Sequence, residues 1–413
     1  MNKKLTFSEL TDEIFKNIDI SPTHYKTAIS HYNAVSECLS DGNAGKDIYV
    51  QGSFALGTVI RPFRGGKDAD YDLDIVSEGN ETKTTISPQQ LKQRVKDCIL
   101  SSPHHKDLLD KDEGRRCWTL KYAPDNNGIG FHMDILPCVP EGADIINIIK
   151  LSCSTPEYAD LSIAITDKDK AHNRYDWTTG NARGYTNWFS DINEHYLIPV
   201  ASTQRTALVE SRFFESIDEV PTPLLRSPLQ RAIQLLKRHR DCKFDSRDNR
   251  DDKPISIIIT TLVAKIAQQL ALYNSPVDEL LFAILEELSK YSRLMGDSFQ
   301  EQAILLPRGY ITRTREDGWK IPNPVNPGEN FAERWSENNN AKAKAFFDWI
   351  KWVKEDLSFE GKDPGEYFTK LQESFGASTI KKTYSTLGLN ALSEPSPIIL
   401  TASSSAPKPY LWK

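Results

Sequence analysis

The sequence lacks the cysteine patterns that mark a metal-bound or disulfide-stapled protein. Its 413 residues include six cysteines, and none of them falls in a Cys-x-x-Cys pair or a Cys/His ladder. A structural zinc site is therefore not expected. Cysteines scattered through apolar sequence are typical of small buried side chains in a reducing compartment.

Long hydrophobic runs and a strong charge of either sign are missing as well. Nothing approaches the ~18 apolar residues of a membrane span, and the opening MNKKLTFSEL has no apolar signal core. We therefore expect a soluble, cytoplasmic protein with no membrane partner. The formal net charge of −6 argues against a surface built for polynucleotides, so we expect no constitutive nucleic-acid binding.

The sequence does contain enough apolar material for a sizeable globular protein. Hydrophobic residues make up 39% and charged residues 26% of the chain, which is ordinary for a folded domain. Because single cores rarely grow past about 250–300 residues, a chain of this length predicts two packed lobes.

The stretch 51–76 combines a Gly-Ser turn with a pair of carboxylates. Asp72 and Asp74 stand two residues apart in an apolar, β-branched run, so a strand would place them on one face. Paired carboxylates repel unless cations lie between them, and Mg²⁺ takes oxygen ligands while leaving positions for phosphates. Gly52 and Ser53 offer backbone N–H groups and a hydroxyl to a phosphate. The combination indicates metal-dependent phosphoryl or nucleotidyl transfer.

A third carboxylate, Asp134, lies in a second apolar run, FHMDILP. Burial of an acid is costly unless it is paired or binds metal. Residues 117–122 alternate as a strand, and a Pro/Asn/Gly turn at 124–128 predicts a hairpin that leads into Asp134. We expect antiparallel neighbours to bring the three acids together, at a spacing compatible with metals roughly 3.5–4 Å apart. A lone Asp-x-Asp or Gly-Ser pair is usually a solvated turn, so the prediction depends on all three acids.

Sequence periodicity and caps predict the remaining elements. Apolar residues spaced by three and four predict two helices over 6–39, broken at the sequence Asp-Ile-Ser-Pro. Residues 140–166 indicate loops and short strands, and 176–189 a loop running into a helix. PLQRAIQLLKRHR (228–240) predicts an amphipathic helix with basic residues at its C-terminal end, and a second helix begins near Pro254.

In combination, the motifs GS, LGTVIRP, YDLDIV and FHMDILP resemble the nucleotidyltransferase core shared with poly(A) polymerases and oligoadenylate synthetases. The chain is most similar to the cGAS/DncV-like bacterial nucleotidyltransferases, the CD-NTases of anti-phage CBASS operons, which also carry a stretch like NPVNPGENFAERW. The resemblance implies an α+β fold: a polymerase beta-like catalytic core with a mixed β-sheet, joined to a helical lobe by an N-terminal spine helix. We place the catalytic lobe, with the spine helix, at 1–200, the helical lobe at 201–390 and a flexible tail at 391–413.

The resemblance also implies roles for particular residues. Asp72, Asp74 and Asp134 would be catalytic and would bind two Mg²⁺ ions, for which Mn²⁺ can substitute. Asn181 would read a nucleobase edge, and capping of the next helix is its competing role. Capping likewise competes with phosphate binding at Ser256. The residues expected to bind nucleotide are Gln51, Gly52, Ser53, Asn181, Lys237 and Ser256.

We predict that the enzyme uses Mg²⁺ to join NTPs, ATP among them, into a cyclic oligonucleotide second messenger for anti-phage signalling. One alternative is a template-independent enzyme that extends RNA 3′ ends or makes 2′–5′ oligonucleotides. The net negative charge of the chain disfavours this alternative. Another is a catalytically silent nucleotide-binding scaffold, which the intact acids disfavour. A CBASS accessory protein that modifies or docks on the C-terminal tail is the expected partner.

Overall fold

A mixed β-sheet carries the motifs singled out in the sequence. The computed structural model describes residues 7–124, 130–212, 214–304, 306, 308–358 and 363–389. Most of the turn predicted at 124–128 and the whole tail predicted at 391–413 lie outside these residues. The strands are β1 Asp47–Gln51, β2 Phe63–Arg64, β3 Lys67–Asp68, β4 Tyr71–Glu78, β5 Trp118–Tyr122, β6 Phe131–Pro140, β7 Ile163–Asp169, β8 Arg174–Gly180, β9 Thr312–Thr314, β10 Gly318–Lys320, β11 Pro322–Asn323 and β12 Asn326–Asn330.

The six-stranded sheet runs in the order β1-β4-β6-β7-β8, with β5 paired to β6 outside this path. β5 and β6 form the predicted antiparallel pair. The strand of the first two acids, β4, pairs with β6 in parallel, so the expected antiparallel neighbourhood of the three acids is wrong. Parallel strands need a crossover connection, and the helix at 88–101 lies in the segment that joins them.

Helices form the rest of the molecule, and several begin at the caps that the sequence indicates. Ser21, Ser87 and Ser227 each accept a backbone N–H at a helix start that is followed by proline. The helices are α1 Phe7–Ile18, α2 Pro22–Asp41, α3 Gly52–Ala55, α4 Pro88–Ser101, α5 Ala143–Ser152, α6 Ala182–Glu210, α7 Pro228–Asp245, α8 Ser256–Leu270, α9 Val277–Lys290, α10 Phe299–Ile304, α11 Glu337–Leu357, α12 Pro364–Phe375 and α13 Ala377–Thr386.

Two large apolar clusters correspond to two lobes, and the N-terminal helices reach both. Ile14 of α1 is buried in the cluster built from α7, α8, α9 and α11. Val35 and Leu39 of α2 are buried in the cluster beneath the sheet, beside Leu73 and Met133. α1 and α2 therefore join the lobes as expected of the spine, and the predicted α+β nucleotidyltransferase architecture is confirmed.

Three local predictions are corrected. Residues 143–152 form helix α5 rather than a loop, because β-branched Ile residues in this stretch obscure its helical period. Residues 174–180 form strand β8, and only then does α6 begin. Helix α7 continues to Asp245, so Lys237, Arg238 and Arg240 lie in its interior rather than at its end.

Two further findings bear on the organisation of the chain. The predicted lobe boundary at 200/201 falls inside α6, a continuous helix of 29 residues. In the described part of the chain, no helix combines the length and the apolar character needed to span a bilayer.

Candidate active site

The predicted acids meet at one position of the sheet. Asp74 of β4 stands directly opposite Asp134 of β6 in the parallel register, and Asp72 stands opposite His132. Successive residues alternate between faces, so Asp72, Asp74 and Asp134 lie on the same side of the sheet. The Nδ1 atom of His132 lies 3.5 Å from Oδ1 of Asp72. The three acids singled out in the sequence therefore lie close together, although their strands run parallel.

Burial and mutual repulsion make these carboxylates hard to ionise. Burial raises the pKa of Asp74 to about 7, and the nearby charges of Asp134 and Asp72 add to the effect. Burial also raises the pKa of Asp134, although Thr119 donates a 2.5 Å hydrogen bond to its Oδ1 atom. The site thus holds more negative charge than the surrounding side chains neutralise.

Gly52 brings the main chain directly over the acids. It has a φ of +63°, and a Cβ atom there would lie 2.4 Å from Oδ2 of Asp74. Only glycine fits such a close approach in this backbone conformation. Gln51, the last residue of β1, is paired with Asp74, and α3 starts immediately after it. The Gly-Ser turn and the acids therefore form one continuous surface.

Lys237 approaches this surface from the helical lobe. Its Nζ atom donates a 2.9 Å hydrogen bond to the carbonyl oxygen of Thr58. Burial lowers the pKa of Lys237 to about 8, helped by repulsion from Arg240, while Asp74 and Asp72 oppose the decrease. A buried cation thus faces the acids across the cleft between the lobes.

Two cavities adjoin at Gly52, Leu56, Ile255 and Ile257, which line both. The smaller, of about 450 Å³, is lined by Ser53, Asp72, Asp74, Lys237 and Ser256 among others. The larger, of about 1010 Å³, is lined by Gln51 and Asn181. The structure therefore separates the predicted nucleotide-binding residues into an acid-bearing cavity and a wider neighbouring one.

For Asn181 and for Ser256, helix capping and nucleotide binding were the two competing roles. The Oδ1 atom of Asn181 accepts the N–H of Gly184 as the cap of α6, and its Nδ2 atom donates to the carbonyl of Tyr158. Its amide is thus occupied by the protein itself. Ser256 does not cap α8, whose N-cap residue is Ile255. Its Oγ atom instead accepts a 3.0 Å hydrogen bond from Nη1 of Arg240.

The three acids fit a hard divalent cation. Every donor is a carboxylate oxygen, the ligand type that Mg²⁺ prefers, and the raised pKa values indicate charge that a cation would relieve. Within the described residues, no three His, Cys, Asp or Glu side chains are already gathered as a coordination shell. The fit therefore depends on donor chemistry and charge.

Several residues at the site were missed in the sequence. Thr58, Arg240 and Lys253 line the acid-bearing cavity. Asn326 and Glu329 line the larger one. Arg240 follows Lys237 by three residues, so both lie on one helix face, and this spacing was the available signal. For Thr58 no side-chain signal exists, since it contributes a carbonyl oxygen.

Known proteins resemble the chain in sequence and in fold. Residues 46–137 match the family described as cyclic GMP-AMP synthase DncV-like, nucleotidyltransferase domain. A c-di-GMP synthase from Roseivirga ehrenbergii is 26% identical over 339 residues, covering 81% of this chain and 74% of that protein.

Solved structures share the fold over nearly the whole chain. The CD-NTase CdnG of Bradyrhizobium diazoefficiens, in complex with GTP, aligns with a TM-score of 0.64 and 19% identity over 92% of this chain and 99% of that chain. Escherichia coli CdnC with ATP aligns with a TM-score of 0.56 and 15% identity over 91% and 99% of the respective chains.

A mixed sheet that presents paired acids beneath a Gly-Ser turn, together with the matching domain, defines this enzyme as a nucleotidyltransferase. Within that class, residues 46–137 match the DncV-like nucleotidyltransferase domain, and the chain is similar to CD-NTases in sequence and in fold over most of its length.

Proposed function

We propose that this enzyme uses Mg²⁺ to join NTPs into a cyclic oligonucleotide that serves as a second messenger in anti-phage CBASS signalling. The observation that carries the proposal is the register of Asp74 with Asp134 beneath Gly52, faced by Lys237 from the other lobe. Relatives named c-di-GMP synthase and cyclic dinucleotide synthase support a cyclic product.

Three protein groups would hold the donor triphosphate in the smaller cavity. Gly52 and Ser53 of the turn line this cavity and offer backbone N–H groups to a phosphate. Lys237 adds a buried positive charge, and Ser256 adds a hydroxyl fixed by Arg240. Catalysis then depends on positioning the phosphate for in-line attack.

Asp72, Asp74 and Asp134 would hold the Mg²⁺ ions. When bound, the ions neutralise charge on the transferred phosphoryl group and on the leaving pyrophosphate. Asp134 is suited to take the proton of the acceptor ribose hydroxyl, because burial raises its pKa while Thr119 fixes one of its oxygens. The other carboxylate oxygen is the proton acceptor in this scheme.

A product assay on the purified chain tests the proposal. It is incubated with labelled NTPs, with Mg²⁺, with Mn²⁺ or with EDTA, treated with phosphatase and compared with Asp74→Asn. We expect a phosphatase-resistant product that needs the metal and is lost in the variant. Extension of an added RNA as a ladder would instead assign a tailing enzyme, and nucleotide binding without any product would assign a scaffold.

The proposal includes a protein partner and a cytoplasmic site of action. One structural relative, E. coli CdnC, was solved in complex with a HORMA protein. We place the corresponding contact of this chain on its C-terminal tail, which lies outside the described residues. Co-purification of the full chain with and without residues 391–413, followed by mass spectrometry, tests whether a partner protein binds through the tail.

A further inference from the structure

A third cavity, of about 460 Å³, is lined by residues of α6, of α8 and of the short helical turn Pro156–Leu161. None of the described residues that line it also lines either cavity of the candidate active site. The two regions are nevertheless neighbours, because Pro324 lines the third cavity and the adjacent Asn323 lines the larger cavity of the active site. A molecule bound in the third cavity would therefore lie near a bound nucleotide without competing for its contacts.

Lys265 of α8 brings a positive charge to this cavity without a carboxylate partner. Its Nζ atom donates a 3.1 Å hydrogen bond to the carbonyl oxygen of Pro322, which uses one of the three N–H donors of an ammonium group. Burial lowers the pKa of Lys265 to about 8, and the nearby thiol of Cys153 opposes the decrease. In the part of the chain that the structure describes, no carboxylate lies within ion-pairing distance of this ammonium group.

Other buried lysines of this chain do have a carboxylate partner. The Nζ atom of Lys92 lies 3.2 Å from a carboxylate oxygen of Glu113, and that of Lys243 lies 2.7 Å from one of Asp356. Burial of a charge is costly unless an opposite charge compensates for it. Lys265 is therefore suited to pair with an anion that comes from outside the described chain.

Aromatic side chains form much of the wall of the third cavity. Trp188 is buried, and Tyr158 and Tyr273 line the cavity together with it. The ring of His195 packs on that of Tyr273, with the two ring centroids 5.1 Å apart. Rings around a cleft offer flat apolar faces that pack well against a planar ligand.

Two acids, Glu157 and Asp191, line the cavity as well. Asp191 accepts a hydrogen bond from the hydroxyl of Tyr158. Neither carboxylate affects the pKa of Lys265, as an acid within a few ångströms would do, so both lie away from this lysine. The cavity thus has a cationic end and an acidic end, and repulsion from the acids would direct the anionic group of a ligand to Lys265.

We propose that the third cavity binds a small planar molecule that carries a carboxylate or a phosphate. Its anionic group pairs with Nζ of Lys265, and its ring packs against Trp188 and Tyr158. The site is separate from the three acids and the Gly-Ser turn, so it stays available when NTPs occupy the active site. This inference goes beyond the proposed function, because it requires neither those acids nor product formation.

Chemical labelling of the full chain tests whether such a molecule binds at Lys265. Pyridoxal 5′-phosphate, a planar aldehyde with a phosphate group, is added at about pH 8, and borohydride reduces the imine that the aldehyde forms with a lysine. Peptide mass spectrometry then measures the labelling of each lysine. We expect Lys265 to be labelled at a roughly tenfold lower concentration than Lys351, whose side chain is 73% exposed. The binding site concentrates the reagent, and the lowered pKa leaves more of the amine neutral.

Competition then shows which chemical group the cavity recognises. Benzoate and phenyl phosphate should protect Lys265 from labelling, whereas benzamide, a neutral molecule of similar shape, should not. A non-hydrolysable NTP with Mg²⁺ should leave the labelling of Lys265 unchanged, because the two sites are separate. Equal protection by benzamide and benzoate, protection by the NTP, or labelling of Lys265 no stronger than that of Lys351 would each overturn the inference.

Calorimetry on two variants examines the same charge pair without a covalent reagent. Lys265→Met should bind benzoate about tenfold more weakly or not at all, because the charged donor is removed, and Lys351→Met should bind it as the original chain does. Benzoate affinity that is unchanged in Lys265→Met would overturn the role given to this lysine. The competition experiment on the unaltered chain decides the question even if Lys265→Met fails to fold.

Discussion

Gly52 and Asp74 approach each other so closely that a single added carbon at residue 52 would touch the carboxylate. The separation from the Cβ position to Oδ2 would be 2.4 Å, well inside normal contact. The turn proposed to bind phosphate and the acid proposed to bind metal are therefore positioned by the same contact.

Gly52→Ala should abolish activity. The new methyl group displaces the Asp74 carboxylate, and the left-handed backbone adds a folding cost of about 1–2 kcal/mol. Gly65→Ala is the matched control, since Gly65 has a φ of +59° with nothing within 4 Å of the added carbon. Pyrophosphate release and thermal unfolding are measured for both. We expect both variants to be destabilised to a similar extent and only Gly65→Ala to remain active. An active Gly52→Ala would contradict the conclusion that residue 52 packs directly against the Asp74 carboxylate.

Asp74→Asn should stabilise the metal-free protein while removing activity. Burial and the charges of Asp134 and Asp72 raise the pKa of Asp74, so the ionised form opposes folding at pH 8. We expect a higher unfolding temperature for the variant in EDTA at pH 8.

Added Mg²⁺ should then raise the unfolding temperature of the original chain and have little effect on Asp74→Asn. The same comparison at pH 5, where the folded chain carries Asp74 protonated, serves as the internal control, and the difference in EDTA should shrink there. A variant that is less stable than the original chain in EDTA at pH 8 would contradict the conclusion that ionised Asp74 destabilises the folded protein.

Lys237→Met should weaken use of the triphosphate. A hydrogen bond to a charged group contributes about 1.5–3 kcal/mol, so kcat/KM should fall roughly 10- to 100-fold, mainly through KM for the NTP. Lys351→Met, at a lysine whose side chain is 73% exposed on α11, controls for the loss of a positive charge. Unchanged KM in Lys237→Met would remove this lysine from the phosphate site.

A buried histidine in the helical lobe should make stability depend on pH. His239 receives the indole N–H of Trp349 at Nδ1, at 3.1 Å, and therefore donates through Nε2 to Asp356, also at 3.1 Å. Burial lowers the pKa of His239, although Asp356 opposes the shift, and Lys243 also contacts Asp356. Protonation would place a second hydrogen between Nδ1 and the indole.

Because the folded chain binds this proton less readily than the unfolded chain, stability falls as pH decreases below about 6.5, by at most roughly 1.4 kcal/mol per pH unit. Urea unfolding at pH 7.5 and 5.5 should show a smaller loss for His239→Gln than for the original chain. His172→Gln, at a side chain that is 77% exposed, should behave as the original chain does. An identical loss in all three would show that His239 is not the responsible group.

Much of the fold and site could be predicted because local signals agreed with the tertiary structure. Ser87 followed by Pro88 both begins and caps α4, and the alternation around Asp72 and Asp74 holds in the strand. The parallel pairing of β4 with β6 could not be read in the same way. Strand direction depends on the long crossover between them, and side-chain alternation is the same for either direction.

The course of α7 was mispredicted for a different reason. A run of Lys, Arg and His is typical of a helix end exposed to water, but Arg238 is fully buried. Its guanidinium donates to the carbonyls of Phe375 and Arg61, and it pairs with Asp68. Such partners lie more than a hundred residues away in sequence, so no local pattern reveals them.

The contact between Lys237 and Thr58 has a consequence for how this enzyme can be recombined. The segment 46–137 that matches the family carries all three acids and the turn, whereas Lys237, the lysine proposed to bind phosphate, comes from α7. Lys237 meets the other half of the cleft at a main-chain carbonyl, an acceptor that every residue type provides. A chimaera that exchanges this segment between relatives can therefore keep the contact of Lys237 with residue 58 whatever side chain stands there, provided the backbone path is preserved, whereas the pair of Arg238 with Asp68 needs the acid in the incoming segment.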